Sequence, residues 1–96
     1  MHMKLRKGVL LINICDQYVL VAGKEARKYC RYITELNDTG AFIWKQIEQC
    51  KNVVQIIAEI QKEFDVDDDE EIKKYVFSFI RQLKDNGYLT EADDII

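Results

Sequence analysis

The hydrophobic pattern changes period once along these 96 residues, and that switch limits the fold more than any other feature of the sequence. From Val9 to Ala22 the chain is rich in β-formers, VLLINI and then YVLVA, interrupted only by Cys15-Asp16-Gln17. Two apolar runs about a short polar cluster predict an antiparallel hairpin, bracketed by Gly8 and Gly23. A charged stretch, Glu25 to Arg31, follows. Tyr32-Ile33-Thr34-Glu35-Leu36, with β-branched residues at its centre, then predicts a third short strand. The N-terminal third is expected to be a three-stranded antiparallel sheet.

After Leu36 the period becomes helical. Asn37 or Asp38 caps a first helix with Gly40 in its first turn, Ala41, Trp44 and Ile47 (or Ile43 and Ile47) along one side, and an end near Cys50. Leu36 and Ala41 are placed to act as a staple across its start. Asn52 followed by Gln55 resembles a capping box, and Val53, Ile56, Ile57, Ile60 and Phe64 then repeat as the buried face of a second helix. A third helix runs to Asn86, with Ile72, Val76, Phe79 and Leu83 at its buried centre and Tyr75 and Ile80 on its shoulders. Gly87 closes it and Tyr88-Leu89 pack back. There is no proline to mark a linker or a disordered arm. The expected architecture is β-β-β-α-α-α, an α+β fold of the winged helix-turn-helix kind, in one domain spanning residues 1–96 with a core of about 5–89.

A chain of this size closes about one small core, which argues against a deep catalytic cleft. No catalytic set can be assembled either. His2 is the lone histidine, no G-x-S-x-G or H-E-x-x-H occurs, and the four glycines stand apart, so no phosphate loop forms. Cys15, Cys30 and Cys50 are odd in number and lack C-x-x-C spacing, which points to reduced thiols in a cytoplasmic protein rather than to a metal site. The run from Asp65 to Glu71 alternates carboxylates as a calcium loop does. It lacks the glycine at the sixth position, and Val76 stands where the twelfth-position glutamate would be. Its plainer role is to complement the positive end of the third helix. No apolar run approaches the ~20 residues that span a bilayer, and no signal-peptide pattern opens the chain. No enzyme activity, cofactor, metal or membrane association is expected.

The expected function is binding. Residues 1–37 carry seven basic and three acidic side chains, a net of +4, whereas residues 38–96 carry seven and fourteen, a net of −7. A winged helix that binds DNA needs a basic recognition helix, and here the third helix opens on a block of acid, so nucleic acid is not the expected partner. The third strand offers another route. A strand at a sheet edge leaves N–H and C=O groups free for an added peptide strand, and this one has only Glu35 and no proline to guard it. An outer loop or the C-terminal tail covering that edge is the competing structural reading.

The residues L-N-D-T-G-A-F-I-W (Leu36–Trp44), then V-x-x-I-x-x-x-I-x-x-E-F-D-V-D (Val53–Asp67), Val76, Phe79-Ile80, Leu83 and the closing N-G-Y-L (Asn86–Leu89), resemble the PqqD family. The opening L-R-K-G-V (Leu5–Val9) also resembles the family's usual start, and the likeness covers Leu5 to Leu89. It implies a recognition element for ribosomally synthesised, post-translationally modified peptides. Such a domain binds the leader segment of a precursor and delivers it to a modification enzyme, such as a radical-SAM protein or a leader peptidase and cyclase. It further implies that the leader adds antiparallel to the third strand, beside the third helix. Carried onto this chain, the strand is Tyr32 to Leu36, extended back to Cys30 and Arg31, with Ile33, Thr34 and Glu35 between. The helix supplies Tyr75 and Phe79 first, and Ile72, Val76 and Leu83 second. Those last three are equally what a helix buries in a core, and Asn37 to Gly40 is read as a cap. Thr34 is expected to give a ladder donor to the incoming strand, so that Thr34→Pro blocks binding, and Lys28 and Arg31 are expected to attract acidic leader residues.

Overall fold

The structure, a computed structural model, describes residues 2–65 and 69–93. In chain order it has strands β1 (His2–Leu5), β2 (Val9–Ile14) and β3 (Gln17–Ala22), a 3-10 turn (Ala26–Lys28), strand β4 (Ile33–Leu36), helices α1 (Asp38–Glu48), α2 (Val53–Phe64) and α3 (Asp69–Asp85), and strand β5 (Leu89–Asp93). The expected antiparallel sheet, in the order β2-β3-β4, is present and is followed by three helices. β2 and β3 pair without a break from Val9↔Ala22 to Ile14↔Gln17. Their two-residue turn holds Cys15 at φ 49° and Asp16 at φ 65°, the left-handed pair that matches the twist of a tight hairpin.

β1 and β5 form a separate two-stranded antiparallel sheet, from His2↔Asp93 to Leu5↔Leu89, of which the sequence pattern carries no sign. HMKL and LTEAD are too short and too polar to alternate clearly, and their ladder joins opposite ends of the chain. The N-terminal strand is held further along by Arg6. Its N–H donates to the Tyr88 carbonyl at 2.8 Å, its Nε donates to the Gly87 carbonyl at 2.6 Å, and its guanidinium lies 4.1 Å from the centre of the Tyr29 ring.

The core unites Leu20 and Ala22 of the sheet, Ile43, Trp44 and Ile47 of α1, Val53, Ile56 and Ile60 of α2, Ile72, Val76, Ile80 and Leu83 of α3, and Tyr88. Each such aliphatic or aromatic side chain contributes ~1.5–3 kcal/mol on burial. Phe64 departs from its expected place on the buried face. It is 39% exposed and sets its ring edge-on to Phe42, with centres 5.5 Å apart. Among the described residues no helix is long and apolar enough to cross a membrane.

The helix ends explain why the bundle is cut where it is. Asn37, not Asp38, caps α1, its Oδ1 accepting the Gly40 N–H at 2.7 Å. The Asn52–Gln55 box opens α2 with both of its bonds at 2.9 Å. Asp65 follows α2 in the left-handed region, the centre of the acidic run lies outside the described residues, and Asp69 to Glu71 begin α3. α3 closes as the sequence predicts. Gly87, at φ 86°, donates to the Lys84 carbonyl at 3.1 Å, and Tyr88 donates to the Leu83 carbonyl at 2.8 Å, the paired bonds of a Schellman end. α1 ends in the same way with a cysteine in glycine's position. Cys50, at φ 64°, donates to the Ile47 carbonyl at 2.9 Å, and Lys51 donates to the Gln46 carbonyl at 3.2 Å.

These ends give an ordered set of stability changes. A Cβ at Gly87 would lie 2.0 Å from the Tyr29 carbonyl oxygen, so Gly87→Ala combines a backbone clash with a left-handed φ and is expected to cost more than ~3 kcal/mol. At Gly8 the φ is 89°, but the nearest atom is 3.6 Å away, and Gly8→Ala should cost only ~1–2 kcal/mol. Cys50→Gly should stabilise by up to ~1 kcal/mol. Urea midpoints of the three variants check the order.

Candidate functional site

Among the described residues β4 is an outer strand, pairing with β3 from Tyr18↔Leu36 to Val21↔Ile33. Which of its backbone groups remain open follows from parity. The Ala22 N–H donates to the Tyr32 carbonyl at 2.8 Å, so the backbone of Tyr32 faces β3. In an antiparallel ladder the N–H and C=O of one residue point to the same side, and the sides alternate along the strand. Thr34 and Leu36 therefore also face β3, and Ile33 and Glu35 turn their N–H and C=O to the open edge. The expectation that Thr34 gives a donor to an added strand is corrected by this register: its N–H belongs to the ladder with β3. The side chains alternate across the sheet plane. Thr34 and Leu36 are half-buried on the core side, whereas Ile33, at 54% exposure, and Glu35 lie on the solvent face.

α3 runs beside β4 in the opposite direction. Near its start, the Tyr75 hydroxyl donates to Asn37 Oδ1 at 3.1 Å, just past the end of β4. Beyond its end, the Tyr88 hydroxyl is hydrogen-bonded to Thr34 Oγ1 and lies 3.4 Å from the Arg31 carbonyl, at the start of β4. Asn37 Oδ1 thus has two partners, the Gly40 N–H of its own helix and the Tyr75 hydroxyl of α3. Gly40 is small for a reason found on α3. A Cβ there would be 3.0 Å from the edge of the Phe79 ring. The L-N-D-T-G-A segment is therefore a cap, as read from the sequence, and also the surface on which Tyr75 and Phe79 rest. Gln82 and Asn86 continue the same flank of α3 at helical spacing.

The remaining candidates divide. Ile72, Val76 and Leu83, at 5%, 0% and 3% exposure, belong to the core beneath the groove. Tyr75, at 39% exposure, and the half-buried Phe79 form its wall. Tyr32 lies flat under Arg27, whose guanidinium is 3.7 Å from the ring centre and whose Nε donates to the Ala22 carbonyl at 3.0 Å. The Cys30 thiol is bonded to the Ala26 carbonyl at 3.1 Å. Burial pushes its pKa up, against the opposing pull of Arg6, so it is held as a neutral thiol. Lys28 is exposed and pairs with Glu25 at 3.3 Å. Arg31 is exposed without a side-chain partner among the described residues.

Beyond Tyr75 the groove adjoins an open pocket of about 750 Å³, in which Ile60 and Phe64 of α2 and Ile72 and Tyr75 of α3 meet Thr39 of α1 and Ser78, with Glu71 and Lys74 also lining it. Sequence reasoning missed Thr39, Ile60, Phe64 and Ser78. Their convergence depends on how three helices pack, and one helical period cannot report it. No group of three or more metal-ligating side chains occurs among the described residues. The arrangement offers a strand edge whose four outward backbone groups have no partner among the described residues, an aromatic wall and a pocket of mixed polarity.

Among solved structures, the chain superposes with a TM-score of 0.78 on TbiB1 in complex with the TbiA(beta) leader peptide, at 25% identity, covering 96% of this chain and all of that one. It superposes with a TM-score of 0.77 on lasso peptide synthetase B1 complexed with the leader peptide, at 19% identity, covering 95% of this chain and all of that one. No curated protein matches the sequence. The family model for coenzyme PQQ synthesis protein D matches residues 18–89, from the second strand of the hairpin through the groove to the start of β5. That match spans well over half of the sequence, and the chain belongs to the PqqD family.

Proposed function

We propose that this protein binds the leader segment of a ribosomally synthesised precursor peptide without altering it chemically, and delivers it to a separate modification enzyme in the cytoplasm. The leader adds antiparallel to β4, with alternate side chains entering the groove against Tyr75 and Phe79. The observation that carries this reading is the open edge of β4 lying along α3. The leader peptide held by TbiB1, whose fold this chain shares over almost its whole length, supports it. The partner enzyme is of the class that acts on leader-bearing precursors, a radical-SAM protein or a leader peptidase and cyclase.

The magnitudes suit an adaptor. Four ladder bonds at a net ~0.5–1.5 kcal/mol each and two or three buried apolar side chains at ~1.5–3 kcal/mol are offset by several kcal/mol for ordering the leader. Nanomolar to micromolar affinity follows.

Titrating labelled protein with a synthetic leader from the neighbouring precursor gene should shift the amides of Ile33 and Glu35 and those of α3 from Tyr75 to Phe79; unmoved signals in both places would sink the proposed site. Proline separates the two sides of β4. Glu35→Pro removes an outward donor and should abolish leader binding with the fold intact, whereas Thr34→Pro breaks the ladder to β3 and should lower the melting temperature by several degrees. Tyr75→Ala, which strips the wall and its link to Asn37, should weaken the leader about tenfold, or ~1.4 kcal/mol.

A further inference from the structure

The two ends of the β4 edge carry opposite charge. At its C-terminal end Glu35 joins Asp16 and Asp38 around an open pocket of about 490 Å³. None of these three carboxylates has an ion-pair partner among the described residues. At its N-terminal end stand Arg31, Arg27 and Lys28. Arg27 bonds to the Ala22 carbonyl and lies over the Tyr32 ring, and Lys28 pairs with Glu25, which leaves Arg31 as the one of the three without a side-chain partner among the described residues. Between Glu35 and Arg31 the solvent face is apolar. The register aligns Leu10, Val21 and Ile33 in one row across three strands, with Leu10 64% and Ile33 54% exposed, and Ile12, Val19 and Glu35 in the next. One row therefore reaches the open edge as an aliphatic side chain and its neighbour as a carboxylate.

A strand added to this edge sets one residue directly opposite Glu35 and another, two positions on, opposite Ile33, and its continuation passes Arg31, two residues before β4 begins. Side chains directly opposite one another interact, favourably for opposite charges and for aliphatic pairs, and unfavourably for like charges. We infer that the leader is selected through its outward-facing side chains as well as those in the groove. Read from its N-terminus, it carries a basic residue opposite Glu35, an aliphatic one two positions later opposite Ile33, and an acidic one beyond that, where the peptide passes Arg31. The intervening residues enter the groove. Because the basic residue must precede the acidic one, the same charges fix the strand's direction: a reversed peptide meets like charge at both ends. This inference rests on the leader-binding reading. It also revises the expected role of the basic half of the chain, since the sign changes along one strand rather than between the sheet and the helices.

The test uses a displayed library of random decapeptides, selected separately on the wild-type chain, on Glu35→Lys and on Arg31→Glu. Both substituted positions are exposed, and melting curves establish that the variants fold. Peptides enriched on the wild type should show Lys or Arg, then Ile, Val or Leu two residues on, then Asp or Glu two or more residues beyond that. Glu35→Lys should turn the first preference acidic and leave the last unchanged, and Arg31→Glu should do the converse. Each enriched wild-type peptide should bind the matching reversed-charge variant about tenfold more weakly. Identical preferences on all three proteins, or an acidic residue preceding the basic one on the wild type, would overturn the inference while leaving leader binding intact. If the wild type enriches no peptides, or enriched peptides leave the Ile33 and Glu35 amides unprotected from exchange, strand addition itself fails and the charge code with it.

Discussion

The site depends on how Gly87 and Tyr88 bring the end of α3 against the start of β4. Gly87 is pressed to the Tyr29 carbonyl so closely that a single methyl group does not fit. The next residue, 1% exposed, uses almost every polar atom it has. The Tyr88 N–H closes α3, its carbonyl receives the Arg6 N–H, and its hydroxyl reaches Thr34 and Arg31. Its ring stands edge-on to Trp44, with centres 6.0 Å apart. The spacing between helix and strand edge is thus set by buried, satisfied groups, which have little freedom to adjust without leaving a polar atom unpaired.

At the other end of the groove the junction is lighter. Tyr75 and Asn37 meet through one exposed hydrogen bond, and Phe79 rests against Gly40 with no room between them. A groove fixed at the Tyr88 end and held by an exposed contact at the Tyr75 end is preorganised at the end where the proposed leader strand would find its register. It has more latitude beside the adjoining pocket. Preorganisation of this kind reduces the entropy lost on binding, a large opposing term for a disordered peptide.

How far this was legible in the sequence depended on the range of the interaction concerned. Asn52 and Gln55 speak to each other across three residues, and the α2 cap was readable for that reason. The hairpin and the Gly87 stop were equally local. β1 and β5 were not, because neither segment has a pattern of its own and each becomes a strand only by meeting the other. Cys50 in a left-handed position was invisible since nothing in its side chain marks it for that role. On α3, helical spacing together with a family likeness proposes Tyr75 and Phe79 for contact, and the structure leaves both partly exposed, whereas Ile72, Val76 and Leu83 are held by the core that the same spacing describes. The assignment of Thr34 failed for a more instructive reason. Naming a strand does not say which of its residues face outward, and only the hydrogen bond from Ala22 to Tyr32 settled the parity.

β4 is four residues long, and only two of them turn their backbone outward. That brevity has a consequence in time. An edge this short gives a passing strand few bonds, so a second copy of the protein or an unrelated unfolded chain lacking suitable side chains gains little by pairing there, and the edge needs no proline to protect it. A strand that also fills the groove stays longer, and at the micromolar end of the proposed range an ordinary association rate of ~10⁵–10⁷ M⁻¹s⁻¹ gives a residence of ~0.1–10 s. A longer edge would hold the peptide more tightly and release it more slowly. An adaptor that must pass its cargo onward is therefore better served by a strand that ends early.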